Sequence, residues 1–165
     1  MKTLFLLATI ALMMASCGET AVNPKQEVAE EELESLNDQF DQQLADQLGA
    51  DDYGMKRYVM AFLKIGPNRD QDSATAAQLQ RAHMDNIKRL ADDKKLIVAG
   101  PFLDTGDLRG IFIFNVETIE EAEALTNTDP AIKAGRLVME LHLWYGSAAL
   151  IQSAEIHKKV AKNEI

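Results

Sequence analysis

The chain has 165 residues, 47% of them hydrophobic and 26% charged, with a formal net charge of −9 at pH 7; that is room for about one globular domain plus appendages. The acidity is local: residues 18–52 hold eleven acidic side chains and one lysine, whereas residues 53–165 hold fifteen of each sign. A formally neutral domain offers no broad basic face to a phosphate backbone, which argues against nucleic acid as a partner, and the lone cysteine rules out an internal disulfide.

The chain opens on MKTLFLLATIALMMASC, with one basic residue, Lys2, an apolar run from Leu4 to Met14, and the small residues Ala15 and Ser16 before Cys17. This is the order of a secretory signal, and the run is too short for a membrane-spanning helix. The placement of Cys17 resembles a bacterial lipoprotein lipobox, with Met14 where that motif usually has Leu, Val or Ile. The resemblance implies a signal peptide over 1–17, lipid on the Cys17 thiol, and a mature domain tethered in the bacterial cell envelope, on its periplasmic side. Each buried acyl methylene adds about 0.8 kcal/mol, so several acyl chains make a durable anchor.

Residues 18–52 read as an acidic tether and helix. GETAVNPKQ is polar and aperiodic. Leu33, Leu36, Phe40, Leu44 and Leu48 then recur at spacings of three and four, which predicts one amphipathic helix stopped at Gly49. Its apolar stripe is expected to bury against its own domain, the alternative being a partner or a second subunit. Its acidic faces are repelled by anionic lipid.

The domain proper is expected over 53–146. RYVMAFLKI, ending at Gly66-Pro67, reads as a strand, and Ser73 is placed to cap a helix covering roughly 74–93. LIVAGPF and RGIFIFNV read as strands joined by a tight LDTGD turn. Thr118, with Glu121 three residues on, predicts a capping box opening TIEEAEALTN. Asp129-Pro130 opens a short turn or helix closed at Gly135, and LVMELHLWY is the last strand. The order βαββαβ predicts an α+β ferredoxin-like fold, two helices on one face of a four-stranded antiparallel sheet. Residues 147–165 read as a terminal helix with Lys158, Lys159 and Lys162 near its C-terminal end. Because IFIFNV and LVMELHLWY carry apolar or aromatic side chains on both faces, the second sheet face needs cover, and self-association is the usual solution.

Three histidines limit the candidates for chemistry. His83 lies mid-helix on the side of Leu79, Ile87 and Leu90, where a histidine is more often a satisfied core or boundary residue than a catalyst. Asp129, before Pro130, has the ordinary role of an N-cap. Taken together, however, RAHMDNIKRLADDKKLIVAGPFLDTGDLRGIFIF, the EEA at 120–122, TDPAIKAGR from Thr128 and the strand ending in Trp144 resemble the YciI-like (YCII-related) family over about Tyr58 to Tyr145. The resemblance implies a dimeric α+β barrel, two subunits joined sheet to sheet, and a His/Asp pair at the mouth of a pocket, carried here by His83 and Asp129. Relatives commonly have Pro before the tryptophan, where this chain has Leu143.

Such a pair is chemically coherent. A neutral imidazole accepts a proton near neutrality, and a carboxylate on its other nitrogen fixes the tautomer and stabilises the imidazolium. This suits proton abstraction or elimination on a small cyclic or aromatic molecule. As substrate-binding residues the sequence offers Arg109, to clamp an anionic group or sit in a solvated salt bridge, with His142 and Trp144 on the last strand; His157 reads as solvent-facing. The chain has no GxxxxGK, GxGxxG, paired CxxC or HExxH, so no cofactor and no metal are expected. Two readings remain: a lipid-anchored homodimer whose His83/Asp129 pocket handles a small organic molecule by acid–base chemistry, or a non-catalytic binding or assembly module of the envelope. A third, haem or quinone binding, requires an axial ligand inside the barrel.

Overall fold

Strict alternation along the first strand sets the architecture. In β1 (Met55–Ile65) the side chains of Val59, Ala61 and Leu63 are buried on one side, while Tyr58 and Met60 turn to the other. The computed structural model describes residues 40–163. The chain divides into two compact units, 1–40 and 41–165, and the second carries every element below. Residues 1–17, Cys17 and the stretch from Leu33 to Asn37 lie outside the described residues.

The second unit runs α1 (Gln42–Leu48), β1, α2 (Ser73–Asp92), β2 (Leu96–Pro101), β3 (Leu108–Phe114), α3 (Ile119–Thr126), α4 (Pro130–Lys133), β4 (Leu137–Ser147), a 3₁₀ turn (Ala148–Gln152) and α5 (Ser153–Val160). The strands form one antiparallel sheet in the order β2-β3-β1-β4. This is the ferredoxin-like α+β arrangement that the order of elements predicts. β1 and β4 pair without a break from Met55 opposite Ser147 to Ile65 opposite Leu137.

The main core lies between the sheet and the helices: Val59, Ala61 and Leu63 of β1, Phe112 and Phe114 of β3, Leu90 of α2 and Ala122 of α3 close together. Local chemistry explains the element ends. Thr118 accepts from the Glu121 N–H while the Glu121 carboxylate accepts from the Thr118 N–H, which completes the predicted capping box. At α2 the cap is Asp72 rather than Ser73: its two carboxylate oxygens accept from the backbone and the hydroxyl of Thr75, and Ser73 is the first residue of the helix. Within the described residues the acidic helix begins only at Gln42, capped by Asp41, so Phe40 is outside it; Gly49 ends it in the left-handed conformation. None of its residues is fully buried, and Leu44 remains 37% exposed.

The second sheet face departs from expectation. The terminal segment is not one helix: β4 extends to Ser147, whose hydroxyl accepts from the Ala149 N–H and starts the tight 3₁₀ turn. That turn sends the chain back over the sheet, where Leu150 and Ile151 join Tyr58, Ile97, Ile113 and Trp144 in a second cluster. One end of the face is therefore covered by the chain itself. Among the described residues no helix is long and apolar enough to cross a membrane.

Candidate functional site

Helix periodicity presents His83, Asn86 and Leu90 as the buried residues of α2, facing the sheet. The His83 ring lies nearly parallel to Phe112 of β3, centroids 6.1 Å apart at 14°. From the opposite side comes Asp129, whose position is set by a different rule. It is the N-cap of α4, extended at φ −76° and ψ 123° and followed by Pro130 at the first helical position. Its Oδ1 accepts the Ala131 N–H at 2.8 Å, which leaves Oδ2 pointing at His83 Nδ1, 2.5 Å away.

Both side chains are withdrawn from bulk solvent, Asp129 at 0% and His83 at 6% exposure. A carboxylate oxygen only accepts, so Nδ1 carries the proton of this bond, and a neutral ring then has its lone pair on Nε2. Nε2 makes no hydrogen bond to a described residue, and no fully buried side-chain nitrogen or oxygen lacks a partner there. The small exposed part of the ring therefore includes Nε2. The arrangement can accept one proton at a fixed atom and stabilise the cation that results.

A polar network that the sequence reading missed holds the loop carrying Asp129. Arg89 of α2 donates through Nη2 to Asn86 Oδ1 at 2.8 Å and to Thr128 Oγ1 at 2.9 Å. The Thr128 hydroxyl reaches Asn86 Oδ1 at 3.0 Å and the Leu125 carbonyl at 2.7 Å. The signal was present: Asn86 stands three residues from His83 on the same helix face, and Thr128 immediately precedes Asp129. Beyond α4, Gly135 takes φ +68°, and a Cβ there would fall 2.5 Å from Asn68, so the turn leading from the site into β4 requires glycine.

The other predicted residues lie elsewhere. His142 and Trp144 share a face with Met60 and Tyr58, their β1 partners. Trp144 belongs to the second cluster, its ring 5.8 Å from Tyr58. His142 bonds Glu140 at 2.9 Å and meets Phe62 edge-on at 5.7 Å. Arg109 is exposed at the bulge where β3 shifts register against β1, between Gly110 opposite Leu63 and Leu108 opposite Lys64. The sheet thus stands between His142 and Trp144 and the His83–Asp129 pair. Two surface clefts, of about 520 Å³ along Arg57, Glu117 and Leu143 and about 410 Å³ along Leu150, Ile156 and Val160, also lie away from the pair. His157, on α5, is exposed as expected and lines the second of these clefts. Among the described residues no three His, Cys, Asp or Glu side chains gather as a metal site.

Fold and site together define a ferredoxin-like α+β domain with an imidazole–carboxylate pair clamped between its longest helix and the turn before its last strand. The YCII-related domain matches residues 60–144, and the chain belongs to that family. No curated protein matches the sequence. Among solved structures, 5-chloro-2-hydroxyhydroquinone dehydrochlorinase (TftG) from Burkholderia phenoliruptrix AC1100, in complex with 2,5-dihydroxybenzoquinone, is similar at 22% sequence identity and a TM-score of 0.40, over 52% of this chain and 92% of that one.

Proposed function

We propose that His83 and Asp129 form the working pair of a small-molecule site, with His83 Nε2 taking a proton from, or returning one to, a small cyclic or aromatic organic molecule. The observation that carries this reading is the geometry of the pair. Asp129 spends one oxygen on the Ala131 N–H and aims the other at His83 Nδ1, so that Nε2 is the atom left for a ligand. Asp129 is the positioning and charge-balancing group, and Phe112 fixes the plane of the ring.

The test is a screen of small phenols and cyclic acids against protein with nitrogen-15-labelled histidines. Ligands that move the His83 Nε2 signal, and that cease to bind in His83→Ala, support the reading. Ligands that bind without disturbing His83 refute it. A second reading, a non-catalytic binding or assembly module, is favoured by one observation, the low exposure of the pair; there His83 and Asp129 only join α2 to α4, and His83→Gln retains ligand binding.

Two further parts of the reading concern placement. Cys17 carries a lipid that tethers the domain in the bacterial envelope, supported by the apolar run and small residues before it; Cys17→Ser should release the protein from the membrane fraction. The protein works as a homodimer, supported by the apolar surface that its own C-terminal segment leaves uncovered on the second sheet face, Val138 among it.

A further inference from the structure

We propose that Asn86 is a second ligand-contacting residue of the site: its amide N–H donates to the hydroxyl oxygen of a phenol, the same oxygen whose proton His83 Nε2 takes. This rests on the role proposed for His83 and deepens it. Asn86 is 8% exposed and His83 6%, and with Leu90 they are the buried residues of α2. Three residues apart on one helix, they share a face, with Cβ atoms roughly 5–6 Å apart. Each turns one polar atom to the same short stretch of chain: His83 Nδ1 meets Asp129 Oδ2, and Asn86 Oδ1 lies 3.0 Å from the Thr128 hydroxyl.

Arg89 decides which end of the amide is left over. A guanidinium only donates, so the Asn86 atom 2.8 Å from its Nη2 is the oxygen. That oxygen has its partners, whereas Nδ2 bonds to no described residue. No fully buried side-chain nitrogen or oxygen lacks a partner among the described residues, so Nδ2, like His83 Nε2, reaches the small exposed part of its side chain. Buried polar groups are ordinarily bonded, and a donor this withdrawn with no protein partner is a place for a ligand acceptor. The helix face thus offers one acceptor and one donor, on groups whose other polar atoms are held by residues 128 and 129. A ring hydroxyl satisfies both at a single atom. Its O–H bond breaks as the Nε2–H bond forms, the electron pair stays on the oxygen, and the Asn86 N–H donates to the anion that results. A carboxylate, already ionised at neutral pH, brings no proton to Nε2.

The experiment titrates the nitrogen-15-labelled full chain, carrying Cys17→Ser, with phenol and with catechol, and follows the Asn86 side-chain amide and the His83 ring nitrogens in the same samples. Both sets of signals are expected to move with a common midpoint. Movement of His83 alone overturns the role of Asn86 and leaves the base standing. Movement of Asn86 alone overturns the shared oxygen, and movement of neither overturns this proposal and the His83 reading together. Asn86→Asp then separates contact from support. One carboxylate oxygen still accepts from Arg89, in a charge-assisted bond at least as strong as the present one, but the N–H donors are gone. Phenol and catechol are expected to bind this variant about tenfold more weakly or worse. An unchanged affinity would show that Asn86 only braces Arg89 and Thr128, and would overturn the proposal. If Asn86→Asp fails to fold, the titration of the unsubstituted site still decides.

Discussion

Replacing Asp129 by asparagine should change which nitrogen of His83 holds the proton. The amide is isosteric, and its oxygen can keep the 2.8 Å bond from the Ala131 N–H that caps α4. Its NH₂ then stands where Oδ2 stood, 2.5 Å from His83 Nδ1. Flipping the amide does not help, because NH₂ would then oppose the Ala131 N–H and the cap would be lost. Nδ1 must become the acceptor, and the proton of a neutral ring moves to Nε2, the atom proposed to meet the ligand. The stability cost is the difference between a hydrogen bond to a charged group and one between neutral groups, about 1 kcal/mol. Asp129→Ala removes the cap, worth about 1 kcal/mol, and strands a buried imidazole N–H, for about 3 kcal/mol in all. Urea unfolding of the three proteins should therefore rank them wild type, Asn, Ala. Nitrogen-15 shifts of His83 at neutral pH should show the proton on Nδ1 in the first and on Nε2 in the second. An Asn variant as unstable as Ala, or one with its tautomer unchanged, would refute this account of the pair.

Phe114 is fully buried and packs edge-on against Phe112 at 5.7 Å, so Phe114→Ala should lower unfolding stability by about 3–5 kcal/mol; a loss under about 1 kcal/mol would show that this core collapses to fill the space. Thr118→Ala breaks the capping box of α3 and should cost about 1 kcal/mol in urea melts, with no change expected in the tautomer of His83. Burial pushes the Tyr58 hydroxyl up to about 12 from an ordinary 10.0. A folded value above the unfolded one means this group's contribution is complete below about 10 and is lost as pH rises from there through about 12. Tyr58→Phe should remove that part of the alkaline slope in the pH dependence of stability, and an unaltered slope would assign it to another group.

The strands and their order along the chain were legible because β1 and β3 are short runs rich in β-branched and aromatic residues and the turns between elements carry Gly, Pro, Asp and Thr. The capping box at Thr118 was legible for the same local reason. Asp72 was missed as the α2 cap because Asp72 and Ser73 are both good capping types and adjacent; only the bonds to Thr75 separate them. The C-terminal cover was not legible at all. Its two large apolar residues, Leu150 and Ile151, sit in a 3₁₀ turn whose three-residue repeat does not announce which surface they meet. Parity sets His142 and Trp144 apart from His83: both lie near the family's motifs in sequence, yet alternation along β4 sends their side chains to the face opposite α2.

His83 and Asp129 show why the ordinary and the chemical readings of a residue need not compete. Asp129 was expected to be an N-cap, and it is one: Oδ1 accepts from the Ala131 N–H. A carboxylate has two oxygens, and capping uses the first. Because the cap is followed by Pro130 and α4 is a single turn, the carboxylate plane is fixed by backbone geometry before His83 is considered. The second oxygen then has one direction available, and α2 supplies an imidazole there. The cap is thus what makes the acceptor rigid, and a rigid acceptor is what gives the ring a single tautomer. If this is right, glutamate at 129 should fail despite its charge. Its extra methylene lets one oxygen reach Ala131 or His83 but not both in the same plane, so Asp129→Glu should lose either α4 stability or the Nδ1 tautomer, and a variant keeping both would show that the cap does not orient the pair.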